Sequence, residues 1–130
     1  MISHIDHLVL TVADIEASVA FYKRVLKLRD ETFAGGRRSL NFGNQKINLQ
    51  TLGMESRNHA ATGSGDLCLI TTSSLDKVIA HLQSEGVEII EGPVTKTGAQ
   101  GEMMSVYFND PDGNLIEISS YDEAGSARSA

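Results

Sequence analysis

Glu117 stands between Ile116 and Ile118 in a run, residues 115–119, that alternates with a period of two. If the two isoleucines face a core, Leu115, Glu117 and Ser119 share the other side of the strand. A carboxylate so placed either faces solvent or is set there for chemistry, because charged side chains are seldom fully buried. Immediately before it, Asn109-Asp110-Pro111-Asp112-Gly113-Asn114 is dense in turn formers. Pro111 presets φ, and Gly113 or Asn114 accepts a positive φ. Val106, Tyr107 and Phe108 are strand formers, so residues 106–121 read as a β-hairpin with a tight loop. The remaining reactive side chains are few: His4, His7, His59, His81 and a single cysteine, Cys68.

The elements that must hold these side chains follow from periodicity. Residues 2–12 alternate as a strand, with Ile5, His7, Val9 and Thr11 on one face and Leu8, Leu10 and Val12 on the greasier one. Asp14 is a good N-cap for a helix whose stripe is Ile15, Val19, Tyr22 and Leu26, ending near Leu28. Strands are expected at residues 29–33, 38–42 and 46–52, separated by Gly35-Gly36 and Gly43-Asn44 turns. Residues 53–65 form a polar loop. A second cycle opens with a strand at 66–71. A helix capped by Ser73 or Ser74 follows, with Asp76 placed for a capping box and Gly86 at its end. Strands are then expected at 87–91, 103–108 and 115–119, with Gly92-Pro93 as a break.

The order β-α-β-β-β therefore occurs twice, and such a repeat decides the fold. His7-Leu8-Val9-Leu10 overlies Asp66-Leu67-Cys68-Leu69, and Ile47-Asn48-Leu49 overlies Ile116-Glu117-Ile118. The longer loop over residues 92–101 absorbs the difference in offset. Helices cover the aliphatic faces, which leaves His7, Asn48, Asp66 and Glu117 on the opposite, concave side.

At 130 residues the chain fits one domain with a real core. Its net charge of −6 and lack of a basic patch argue against a nucleic-acid partner. One cysteine excludes an intrachain disulfide and fits a reducing compartment. Residues 1–12 lack a basic leader and a long apolar run, so neither secretion nor a membrane span is expected, and the location expected is cytoplasmic. The organisation read is a single domain over residues 1–122: module one 1–52, linker 53–64, module two 65–122. Residues 123–130 form a flexible tail.

With these motifs in place, the chain resembles the vicinal oxygen chelate superfamily, the group of glyoxalases, bleomycin-resistance proteins and extradiol dioxygenases. The likeness is carried by His7-Leu8, by Phe21-Tyr22 with Val25-Leu26, and by Phe108 and Asp110-Pro111-Asp112-Gly113-Asn114-Leu115-Ile116-Glu117. It is closer to the glyoxalase-domain-5 type, virulence-associated members included, through Phe42-Gly43-Asn44-Gln45-Lys46-Ile47-Asn48-Leu49 and Gly63-Ser64-Gly65-Asp66-Leu67-Cys68-Leu69-Ile70-Thr71. The resemblance implies an α+β fold. Two tandem βαβββ modules would form an open, curved, mixed-sheet barrel with the helices outside.

It also implies a divalent metal, Mn²⁺, Ni²⁺, Zn²⁺ or Fe²⁺, chelated by two oxygens of a small substrate. The ligands would come from the first and last strands of each module. His7 and Glu117 match that pattern. Asp66 stands where a second histidine is usual, and Asn48 where glyoxalase I has a glutamate. The metal set implied is His7, Asp66 and Glu117, with Glu117 the catalytic residue and Asn48 a barrel-lining hydrogen bonder. Arg38 and Gln50 are set by strand alternation as contacts to an anionic or polar ligand. His59 reads as a solvated side chain of the linker loop, with replacement of the missing imidazole at the barrel mouth as the alternative.

The function expected is a metal-dependent, glyoxalase-like lyase or isomerase. A metal-free binding protein of the bleomycin-resistance kind is the alternative. An extradiol ring-cleaving dioxygenase is the second, disfavoured because such enzymes use two histidines. Exposed sheet edges imply a homodimer.

Overall fold

A computed structural model describes residues 1–122, so the tail expected at 123–130 lies outside the described residues. The chain packs as two compact units. One comprises Met1–Gly65 with Asp110–Asn114; the other comprises Asp66–Asn109 and residues 115–122. Each carries one helix and one open, four-stranded mixed sheet, the α+β pattern of tandem βαβββ modules. No described helix is long and apolar enough to cross a membrane.

In the first unit, β1 (His7–Thr11), α1 (Ile15–Leu26), β2 (Arg29–Phe33), β3 (Arg37–Phe42) and β4 (Gln45–Gln50) follow in order. The sheet order is β1-β4-β3-β2, with β1 parallel to β4 and the other pairs antiparallel. The Asp14 carboxylate accepts the Ala17 N–H at 3.0 Å and starts α1. Lys27, left-handed at φ 58°, ends it. Val19, Tyr22 and Val25 bury one side of the helix, and the core of this unit adds Leu10, Leu40, Ile47 and Leu49. Each fully buried aliphatic contributes about 1.5–3 kcal/mol. The segment expected as a linker folds onto this unit. Glu55 pairs with Arg37 at 2.7 Å, and Gly63 N–H reaches the Thr11 carbonyl at 3.3 Å.

The second unit runs β5 (Asp66–Ile70), α2 (Leu75–Ser84), β6 (Glu91–Gly98), β7 (Gly101–Asn109) and β8 (Leu115–Ser120), in sheet order β5-β8-β7-β6. Its core is Leu75, Leu82, Val106, Phe108, Ile116 and Ile118. Two expectations are corrected. The sixth strand begins at Glu91 rather than ending there, passes through the cis Gly92–Pro93 bond, and continues over Val94 to Gly98. A register shift between Glu91 and Val94 takes up the irregularity, so the glycine and proline sit in a bulge instead of breaking the strand. Ser74 does cap α2, accepting from Lys77 N–H. Lys77 therefore holds the capping-box position, and Asp76 only lends its charge to the first turn.

The loop Asp110–Asn114 is built on one carboxylate. Asp110, 5% exposed, accepts from Tyr22 Oη at 2.7 Å, from the Asp112 and Asn114 N–H groups at 2.9 Å each, and from Asn114 Nδ2 at 2.8 Å. Asn114 Oδ1 in turn accepts the Gly65 N–H at 2.6 Å, and Asp112 Oδ1 accepts the Ala13 N–H at 3.0 Å. Burial, together with the Asp110 charge and hydrogen bond, holds the Tyr22 phenol far above its ordinary pKa, so it remains a donor. Removing that donor by Tyr22→Phe should lower unfolding free energy by about 1.5–3 kcal/mol in urea denaturation. Asp110→Ala, which strands several donors at once, should cost about 3–5 kcal/mol. A Tyr22→Phe midpoint equal to wild type contradicts this role for the pair.

Candidate functional site

Strand register sorts each sheet into a face turned to its helix and a polar face. On the polar face of the second sheet, Cys68 lies opposite Glu117, Glu117 opposite Tyr107, and Tyr107 opposite Glu91, one residue from each strand. A cavity of about 390 Å³ opens there, lined by Asp66, Ile90, Glu91, Tyr107, Leu115 and Glu117. Three carboxylates thus share a cavity with one phenol. Glu117 is half-buried and accepts Ser119 Oγ at 3.2 Å on its Oε2, and it also bonds the Tyr107 hydroxyl. Burial first, then the Glu117 hydrogen bond and charge and the Glu91 charge, pushes the Tyr107 pKa up to about 12. At neutral pH the phenol is therefore a donor. Burial and the nearby Glu117 charge raise the Cys68 thiol, while a Ser119 hydrogen bond works against them.

In the first unit the polar face carries His7, Thr11, Ser39, Lys46, Asn48 and Gln50. Asn48 and Gln50 are buried at 4% and 1% exposure, and Asn48 Oδ1 and Gln50 Oε1 have no partner among the described residues. The Gln50 amide N–H donates to Thr11 Oγ1 at 3.0 Å. His7 opens β1 with Nδ1 2.8 Å from Asp6 Oδ1, both side chains exposed. That bond lowers the Asp6 pKa. With the proton on Nδ1 toward Asp6, Nε2 would keep its lone pair, one of the two tautomers in which an imidazole can ligate a metal.

The residues singled out in the sequence divide accordingly. Asp66 and Glu117 come together in the second unit's cavity, and Asn48 and Gln50 together on the first unit's polar face. Arg38 does not join Asn48 and Gln50. It lies on the helix side of its sheet, bonded to Glu16 at 3.0 Å, Asp30 at 2.8 Å and Thr32 at 2.9 Å, and with Lys23 it holds Asp30 at a pKa of about 2. Arg38 sits one residue out of phase with Ser39, which pairs with Asn48, and alternation sends it to the other face. His59 is exposed in the loop that follows β4. Within either unit, among the described residues, no three His, Cys, Asp or Glu side chains gather as a metal-binding group.

Tyr107 and Glu91 were not recognised from sequence as site residues. Counting outward from the 110–114 turn places Tyr107 across from Glu117, so the signal for it was present. Glu91 needed the course of β6, which the glycine-proline pair concealed.

Asp66 and Glu117 open on one cavity of the second unit, and carboxylate oxygens are donors of the kind a divalent ion takes. The fold and these residues place the chain in the Glyoxalase/Bleomycin resistance protein/Dioxygenase superfamily, whose description matches residues 4–118. Within it, the chain is 50% identical to virulence protein STM3117 of Salmonella typhimurium, over 93% of this chain and 86% of that protein. The solved structure of STM3117 superposes with a TM-score of 0.88, covering 93% of this chain and 98% of that one. The integron cassette protein VCH_CASS1 from the mobile metagenome of V. cholerae is 53% identical, with a TM-score of 0.89 and coverage of 93% and 97%. Glyoxalase domain-containing protein RDO1 of Mycosarcoma maydis is 45% identical over 92% of this chain and 69% of its own length. A more distant relative, the metallothiol transferase FosB of Shouchella clausii, is 28% identical over 91% of this chain and 80% of its own.

Because its pKa is higher folded than the ordinary value of 10.0, un-ionised Tyr107 favours the fold below pH 10. That contribution is lost as pH rises toward about 12. In chelator-treated protein, tyrosinate absorbance corrected with Tyr107→Phe should show this late ionisation. Glu117→Gln should bring it down part of the way, burial supplying the rest. Ionisation near pH 10 in wild type contradicts the Tyr107–Glu117 bond.

Proposed function

We propose that the chain is a divalent-metal-dependent, glyoxalase-like lyase or isomerase acting on a small, oxygen-bearing substrate. Asp66 and Glu117 are the ligands the second unit's cavity offers in this reading, and His7 is the ligand that the family resemblance adds. The observation that carries it is the opening of Asp66 and Glu117 on one cavity beside a protonated Tyr107. The Nδ1 contact of His7 with Asp6 and the similarity to FosB, a metallothiol transferase, lend support. Oxygen-rich ligands with a single imidazole suit Mn²⁺ or Fe²⁺, and Ni²⁺ and Zn²⁺ are within the range of the set.

When bound, the ion stabilises negative charge developing on a substrate oxygen. Glu117 is the carboxylate that takes and returns a substrate proton in this cavity. Tyr107, un-ionised at neutral pH, stands across from it on the neighbouring strand. Ile90 and Leu115 supply apolar wall, so a small substrate is held by contact and oriented by few polar groups. Asn48 and Gln50 are the substrate-binding residues of the first unit, and their unpartnered oxygens suit hydroxyl or N–H donors.

Calorimetric titration of Mn²⁺, Ni²⁺, Zn²⁺ and Fe²⁺ (the last without oxygen) into wild type and His7→Ala, Asp66→Ala and Glu117→Gln tests the reading. Each variant should lose more than about 100-fold in affinity for the preferred ion, since even loss of a ligand's supporting contact costs 10–100-fold. Equal affinity in wild type and the variants, or no binding by wild type, removes the metal and leaves the metal-free binding alternative.

A further inference from the structure

Behind Glu117, on the same face of the second sheet, three small side chains form a directed set of hydrogen bonds. Ser119 Oγ stands 3.2 Å from Glu117 Oε2, 2.6 Å from Ser105 Oγ and 3.2 Å from Cys68 Sγ. Ser105 and Ser119 are cross-strand partners and both are 0% exposed. An ionised Glu117 only accepts, so Ser119 gives it its single proton. The oxygen of Ser119 is then left with its lone pairs, and Ser105 must donate to it, so both serine protons run toward the carboxylate.

We infer that Ser119, backed by Ser105 and Cys68, is a positioning residue that fixes which oxygen of Glu117 is presented to the cavity. Burying two hydroxyls in a sheet where alanines would fit costs desolvation that only a bonded chain offsets. This chain ends on the one carboxylate of β8. Glu117 sits on a flexible stem whose torsions choose among staggered wells. Holding Oε2 from behind selects one of them and leaves Oε1 without a serine partner. The polarised set strengthens the terminal bond beyond that of an isolated serine. The consequence for ion binding rests on Glu117 being a ligand; the positioning itself does not.

The test uses the full chain, treated with chelator, and NMR side-chain couplings of Glu117 in wild type, Ser119→Ala, Ser105→Ala and Cys68→Ser. Mn²⁺ titration and urea midpoints are measured alongside. Glu117 should occupy one rotamer in wild type and average among several in Ser119→Ala, with Mn²⁺ affinity falling roughly ten-fold. Ser105→Ala should move both readouts the same way by less, and it carries the test if Ser119→Ala fails to fold. Cys68→Ser should leave both unchanged, because a hydroxyl can bond Ser119 in place of the thiol. A single Glu117 rotamer persisting in Ser119→Ala, or in Ser105→Ala if that variant alone folds, overturns the inference, even if the urea midpoint falls. If Glu117→Gln binds Mn²⁺ as wild type does, the ligand reading fails, and the rotamer measurement alone still decides the positioning role. If Glu117→Gln loses Mn²⁺ while Ser119→Ala keeps both its rotamer and its affinity, the ligand reading stands and the positioning role falls.

Discussion

One buried carboxylate fixes the geometry on which the site depends. Asp110 gathers two backbone N–H groups, one amide and one phenol, and its own N–H closes the turn on the Asn114 carbonyl at 3.0 Å. A charge removed from water is tolerated only with that many donors in place. Closing the loop at those residues sets the register of β7 on β8, and a slip of one residue would send Glu117 to the helix side. The turn that identifies the family thus does its work at a distance from the chemistry. It makes Tyr107 and Glu117 neighbours without touching either.

The same rule of alternation separates stability from chemistry throughout. Leu40, Ile47 and Leu49 in the first sheet, and Val106, Phe108, Ile116 and Ile118 in the second, lie on the helix sides and make the cores. Residues one step out of phase, Ser39, Asn48, Gln50, Ser105, Tyr107, Glu117 and Ser119, form the polar faces. Those faces are not simply solvated. Asn48, Gln50, Ser105 and Ser119 are buried, which raises the worth of each hydrogen bond and the cost of each missing one.

Most of this was legible in the sequence, because it rests on local signals. The Asp14 cap, the α1 stripe, the turns at Gly35-Gly36 and Gly43-Asn44, and the duplicated βαβββ order all follow from propensity and period. Asn48 and Glu117 stand out because a polar residue between aliphatics has few explanations, and Asp66 because its strand overlies the one that His7 opens. What escaped depended on register and irregularity. Arg38 was assigned by alternation without a fixed phase. Glu91 was lost because Gly92-Pro93 reads as a stop in sequence but is accommodated as a bulge on an edge strand. The loop at 53–64 read as a spacer because the Arg37–Glu55 pair joins residues too far apart in sequence for periodicity to relate.

The central claim is that the cavity beside Tyr107 is where an ion resides. Substoichiometric Mn²⁺ added to isotope-labelled protein broadens resonances steeply with nearness to the metal. The account predicts that the amides of Asp66, Tyr107 and Glu117 fade first, while those of Glu16, Asp30 and Glu85 persist. Broadening that begins at those surface carboxylates, or spreads evenly over the chain, would contradict it.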